Sequence, residues 1–224
     1  MRILTQTSKM PCPSFSLPAW DSCPGAKYAE ANLIPAGAAS PCSICYARKG
    51  FYRMPNVRDS RAERFVWARR HVDACSFADV MSAEIRATGC DFFRVHDSGD
   101  FYSTRYVDAW RDITRALPRV RFWYPTRAYT LKAFLPALRR LASEPNAIVR
   151  PSALVVDAPA PKIPGLDAGS SVVTRDATCP APSQGGTCGS CRACWDSRME
   201  VSYARHWGLV QGGSDSGLLR RMVR

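Results

Sequence analysis

Eight of the ten cysteines fall into two groups whose spacing suits soft-metal chemistry. The tighter group reads Cys179-x8-Cys188-x2-Cys191-x2-Cys194, and the looser one holds Cys12, Cys23, Cys42 and Cys45. Thiolates favour iron–sulfur clusters and zinc over harder cations. Two-residue gaps let successive thiolates converge on one cubane, and Gly185, Gly186 and Gly189 ease the close turns this needs. Four thiolates equally make a structural zinc site, since spacing fixes the ligand set better than the metal. In the looser group Cys42-x2-Cys45 joins Cys23 as a three-thiolate set, with Cys12 the weaker candidate for a fourth. Three thiolates on a [4Fe–4S] cluster leave one iron open to a ligand, whereas four close it. Cys75 and Cys90 stand outside both groups and read as buried small hydrophobes.

A second set of reactive side chains lies at the ends of expected strands. His96-Asp97-Ser98-Gly99-Asp100 combines a proton carrier with two carboxylates. Its competing reading is a tight β-to-α turn that spends those carboxylates on backbone N–H groups. Thr126, Arg127 and Arg150 could hold an anion, or the arginines could pair with nearby aspartates. His206, between Tyr203 and Trp207, reads as a packed helix residue. The glycines of QGGTCG and QGGSDSG lack the spacing of a phosphate or dinucleotide loop.

The elements that must position these residues follow from periodicity. Prolines at 11, 13, 18, 24, 35, 41 and 55 predict a mostly loop-like segment over 1–57. From Asp59 a helical period sets in, with Ala62, Phe65, Val66 and Val72 as an apolar stripe interrupted by Arg69 and Asp59 or Ser60 as cap. A helix is predicted over 77–88 with Gly89 as its stop, and another over 103–117 with Ser103 as its cap. Strands are predicted at 92–95, 120–124, 147–149 and 171–174. Pro136 should kink or split a helix over 130–141, and a last helix is expected over 197–207. Alternating strands and helices predict an α/β fold with a parallel sheet. In such a fold the segments after the strands share one face, where ligands bind.

Length suits one domain, divided into the cysteine-bearing loop region 1–57, a βα core over 58–178, and a cysteine segment with a basic helix or tail over 179–224. The opening MRILTQTSKMPCP does not read as a signal peptide, and no apolar run approaches the ~20 residues of a membrane span. No membrane partner is therefore expected, and the expected location is the cytoplasm. In that reducing setting clustered cysteines are ligands more often than disulfides. The formal charge is +12, with 26 arginines among the 31 basic residues. This permits contact with nucleic acid or another polyanion, and Arg220, Arg221 and Arg224 are candidates for polyanion contact.

Five segments together resemble the phage gene product 88 family: SLPAWDSCPGA at 16–26, CSICYARKGFY at 42–52, FRVHDSGDFYS at 93–103, FWYPTRAY at 122–129 and CPAPSQGGTCGSCRACW at 179–195. The resemblance implies a viral or prophage origin, iron–sulfur ligation and a partial (β/α) barrel like that of radical S-adenosylmethionine proteins. It makes Cys23, Cys42 and Cys45, with a cysteine of the later segment, the expected ligands of one cubane; whether the later four hold a second cluster stays open. The tight Cys-x3-Cys-x2-Cys run of radical enzymes is absent, since eighteen residues separate Cys23 from Cys42. That departure argues against S-adenosylmethionine cleavage. The expectation is thus a [4Fe–4S] protein with a redox, sensing or structural role, with zinc as the alternative metal. The alternative functions are a radical S-adenosylmethionine enzyme, with Asp97, Asp100, Arg127 and Arg150 gripping cofactor or substrate, and a nucleic-acid or host-protein binder with a structural metal.

Overall fold

The computed structural model describes residues 2–7 and 9–205. Four parallel strands lie side by side in the order β2 (Pro13–Phe15), β3 (Phe92–Val95), β4 (Arg121–Thr126) and β5 (Ala147–Pro151). A short β1 (Thr5–Gln6) pairs antiparallel with β2 at the sheet edge. Strands β6 (Ser170–Val173) and β7 (Val201–Ala204) form a separate parallel pair, linked to the main sheet by a bridge from Ser152 to Ser170. Among the described residues the strands do not close a barrel, and the fold is α/β with mixed sheets.

Among the described residues five α-helices accompany the strands: α1 (Pro24–Asn32), α2 (Pro55–Asp73), α3 (Phe77–Thr88), α4 (Thr104–Ala116) and α5 (Leu135–Ala142). The helix α3 ends on Gly89 in the left-handed conformation, as its sequence requires. The Ser103 side chain accepts the Tyr106 N–H and caps α4. Tyr106, Val107, Trp110, Ile113 and Thr114 are its buried residues, one stripe at helical spacing. Pro136 splits the expected 130–141 helix: two short 3-10 turns precede α5, which starts with Pro136 in its first turn.

The alternation of side chains along β3 and β4 divides the molecule. Phe93, Val95, Phe122 and Tyr124 enter the main core, where Trp110 meets Phe15, Phe77, Phe93 and Tyr124 with ring centroids 5.6–6.0 Å apart. Each such fully buried ring contributes about 2–3 kcal/mol of hydrophobic stabilisation. Phe92, Arg94 and Trp123 alternate with these and so face the other side of the sheet. There Trp123 packs with Met10, Cys12, Cys188, Cys194, Trp195 and Val201 in a second apolar cluster.

Several expectations are corrected. Residues 1–57 are not simply loop: they supply β1, β2 and α1, and Pro24 and Pro55 open helices rather than interrupting them. Helix α2 starts at Pro55, so Asp59 and Ser60 lie within it and cap nothing. Its buried residues are Arg64, Ala68 and Val72, while Ala62 and Val66 are exposed. Arg69 is exposed too, its guanidinium 5.9 Å from the Phe65 ring centroid. The helix expected over 197–207 is replaced by β7, because pairing with β6 satisfies Val201–Ala204 along their whole length. His206, Trp207 and the arginines Arg220, Arg221 and Arg224 lie outside the described residues. Cys75 is exposed, contrary to its expected burial, whereas Cys90 is half-buried against the main core. No described helix is long and apolar enough to cross a membrane.

Candidate functional site

A cavity of about 710 Å³ lies where β3 and β4 end and is lined by cysteines from both groups. Cys23, Cys42 and Cys45 reach it from the N-terminal segments, and Cys179, Cys188 and Cys194 from the C-terminal one. Cys191 is half-buried outside its lining, and Cys12 is buried in the second apolar cluster.

Local geometry explains how the N-terminal thiols arrive there. Cys23 is the N-cap residue of α1, and its N–H donates to the Trp20 carbonyl at 3.1 Å. The first turn of α1 sits directly on the exit of β4: a Cβ on Gly25 would lie 2.4 Å from the Arg127 carbonyl oxygen. The Thr130 hydroxyl donates to the Gly25 carbonyl at 2.9 Å and fastens the same approach. The Ser40 hydroxyl accepts the Cys42 N–H at 3.0 Å and donates to Glu30 of α1. A turn from the Cys42 carbonyl to the Cys45 N–H at 3.3 Å brings those two thiols to the same side. Arg48 lies over the Trp20 ring at 4.9 Å and ties this loop back to the approach to α1.

Thiols within each group sense one another. Burial, then Asp100, pushes the Cys23 thiol well up, and Cys42 and Cys45 add to that. Burial also raises Cys42, against the nearby Arg127 cation. In the C-terminal group burial raises Cys188 and Cys194, with Cys179 adding to both and Cys191 to Cys188. Burial pushes Cys12 up to about 12, with the Arg94 cation opposing it. Among the described residues, no three His, Cys, Asp or Glu side chains converge closely enough to hold a single metal ion, and all ten cysteines are free thiols.

The strand-end residues divide into two kinds. Asp100 is buried and accepts three hydrogen bonds: Thr126 Oγ1 at 2.7 Å, the Arg127 N–H at 2.8 Å and the Phe101 N–H at 2.7 Å. Burial raises its carboxyl despite those donors. Arg127 donates from Nε and Nη2 to the Ala153 carbonyl. Burial opposes its charge, but Cys42, Tyr129, Asp100 and Cys45 outweigh that and favour it. These residues border the cavity beside the N-terminal thiols. Asp97 is engaged in structure: its carboxylate accepts from Ser16 and, at 3.1 Å, from Tyr52, and its carbonyl accepts from Tyr46. His96 turns the chain with φ +67°, and its Nε2 meets the Tyr106 hydroxyl at 3.0 Å. Burial, then Arg94, lowers its pKa to about 3, so it stays neutral.

Arg150 is fully buried away from the cavity. Its Nη1 donates to the carbonyls of Ala168, Gly169 and Met199, and its Nη2 to those of Ala193, Cys194 and Asp196. It pairs with none of the aspartates expected as partners and instead pins the C-terminal cysteine segment to β5. Three contributors are absent from the sequence-derived site: Arg94, Trp123 and Trp195. Their signal was the period of two, which puts Arg94 and Trp123 on the face opposite Phe93 and Phe122.

The gene product 88 family pattern matches residues 2–197. Over 47 residues, 21% of this chain and 20% of the relative, the sequence is 45% identical to the Gene 88 protein of Mycobacterium phage L5. Over 45 residues it is 44% identical to the Gene 88 protein of Mycobacterium phage D29, covering 20% of this chain and 19% of that relative. The matched stretch thus spans about a fifth of the length of each curated relative. No solved structure matches the chain. With the family pattern running through both cysteine groups and every strand except β7, the chain belongs to the gene product 88 family.

Proposed function

We propose that this chain is an iron–sulfur protein that carries two [4Fe–4S] clusters beside the cavity. Cys23, Cys42 and Cys45 would hold the first, and Cys179, Cys188, Cys191 and Cys194 the second. The observation that carries this reading is the convergence of thiols from both chain ends on one cavity. The donor set is soft and sulfur-only, as clusters require. Four thiolates would equally suit a zinc ion, which the metal assay below separates from iron. A cubane spreads its thiolates over separate irons and accepts a wider ligand set. Two cubanes are proposed rather than one with ligands from both groups, because the N-terminal set supplies three thiols and the C-terminal set four, enough for two clusters.

Bound clusters would supply one-electron redox chemistry. The chain's own residues would do the rest. Arg127 would offset the negative charge of the N-terminal thiolates, and Asp100 would hold Arg127 and Thr126 in place. Three protein ligands would leave one coordination position of the first cluster facing the cavity. Four would close the second inside the apolar cluster around Trp123 and Trp195. The parallel β2–β5 sheet, continued through the Ser152 bridge to β6 and β7, supports reading the fold as a partial (β/α) barrel.

The test is anaerobic purification followed by iron, sulfide and zinc assays and electron paramagnetic resonance after reduction. Iron and sulfide in equal amounts, with a cluster signal, is the expected result. Zinc without iron or sulfide would overturn the proposal.

A further inference from the structure

Arg94 is the one residue of β3 whose charge faces the cavity, near Cys12, Cys188 and Cys194. Its guanidinium lies 4.8 Å from the Trp123 ring centroid. It is enclosed by protein except where it borders the cavity. Its polar contacts are weak for a buried cation. Nη1 meets the Met10 sulfur at 3.8 Å, Nη2 meets the Tyr46 hydroxyl at 3.4 Å, and Nε has no hydrogen-bond partner among the described residues. Arg94 also makes no ion pair among those residues. Asp97 lies near enough to favour its charge but makes no ion pair with it, the carboxylate being held by Ser16 and Tyr52.

A guanidinium has five donors in a fixed fork that matches an oxyanion, and burying one without an anion is costly. The space beside Arg94 reinforces the same charge. Lys9, Arg48, Arg127 and Arg205 border the cavity, against the carboxylates of Asp97 and Asp100. Apolar lining from Met10, Ile44 and Pro125 could take a short carbon body.

We propose that the cavity binds a small organic anion, whose carboxylate or phosphate group docks on Arg94 beside the Trp123 ring. The ligand would insert its charged end toward β3 and leave its body against the apolar lining. This binding goes beyond the cluster reading and stands without it, because Arg94 is short of partners whether or not the thiols carry iron.

The experiment is isothermal titration of the anaerobically purified full chain with inorganic phosphate and, separately, with succinate, at ionic strength held constant with chloride. Saturable binding of either anion is expected, with a dissociation constant on the order of 1 mM for one charge-assisted contact. Phosphate alone would assign a phosphate-bearing ligand, and succinate alone a carboxylate. Arg94→Gln should weaken binding at least tenfold. Should that variant fail to fold, Arg94→Lys, which keeps the charge and loses the fork, should weaken it severalfold. No saturable binding of either anion to the wild-type chain would overturn the proposal, as would unchanged affinity in the variants. Binding that appears only after a chelator strips iron would also overturn it, since Arg94 would then be the counter-ion of a cluster. Iron and sulfide assays on the same sample separate the two ideas: an iron-free chain that binds the anion through Arg94 sinks the cluster reading alone.

Discussion

The two cysteine groups are built differently. Cys23, Cys42 and Cys45 are half-buried on turns around α1, beside the charged Asp100 and Arg127 at the cavity. Cys188 and Cys194 are buried in an apolar cluster with Trp123, Trp195 and Val201, and their segment is pinned by four of the six carbonyl contacts from Arg150. Both sets border the cavity, but Cys188 and Cys194 also belong to the apolar cluster against the sheet. The same residue type sits in two settings because the neighbours differ: charged groups beside one set, tryptophans beside the other.

That contrast can be broken most forcefully at Trp195, which is 1% exposed and donates Nε1–H to the Phe93 carbonyl at 3.1 Å. Trp195→Ala should destabilise the fold by about 3–5 kcal/mol. It should also strip iron from the C-terminal group and spare the N-terminal one, which denaturant melts and iron assays together would read. Arg150→Met comes next. It leaves six carbonyls without their donor and should cost about 3 kcal/mol, with early proteolysis of the segment after β5 as its signature.

A smaller effect tests the wall between the two sides of the sheet. His96 is held neutral with a pKa lowered to about 3, against about 6.5 in an unfolded chain. Between those values the unfolded chain binds the extra proton, so stability falls as pH drops from 6.5 toward 3. By pH 4 the loss should reach about 2–3 kcal/mol, and His96→Gln should flatten that limb in pH-dependent urea melts. Asp100 has the opposite sign. Its raised carboxyl contributes stability below about 3.8 that is lost as pH rises through its folded value, so the wild-type limb is shallower than His96 alone would give. The smallest effect belongs to Cys42→Ser in metal-free protein. It should shift stability by less than about 1 kcal/mol, because the thiol is half-buried at a cavity rather than in a core. A large loss there would erase the difference between the two groups.

The centre of the chain was the most legible. From Phe77 to Val149 strong periods, the Gly89 stop and the Ser103 cap all point to one answer, and the structure follows them. The ends were harder for a physical reason. Strand β2 is three residues long and gains its place from pairing with β3, a contact nearly eighty residues away that no local pattern announces. Helix α1 was hidden because Pro24 was read as a breaker, although proline is at home in a first turn. Strand β7 looks helical in isolation and becomes extended only because β6 offers its edge. At the site, both cysteine groups were visible from spacing, and Asp100 and Arg127 from their position after strands. Arg150 was visible but misassigned, since only the folded chain shows six carbonyls converging on it.

The central claim is that the two groups hold separate clusters. Its most direct test is iron and sulfide content per chain, measured anaerobically on the wild type and on the variant combining Cys23→Ala, Cys42→Ala and Cys45→Ala. Two [4Fe–4S] clusters predict roughly eight irons in the wild type and about four in the variant, with one resonance signal surviving reduction. An unchanged iron content in the variant would contradict the claim, and so would its complete loss from a variant that still folds.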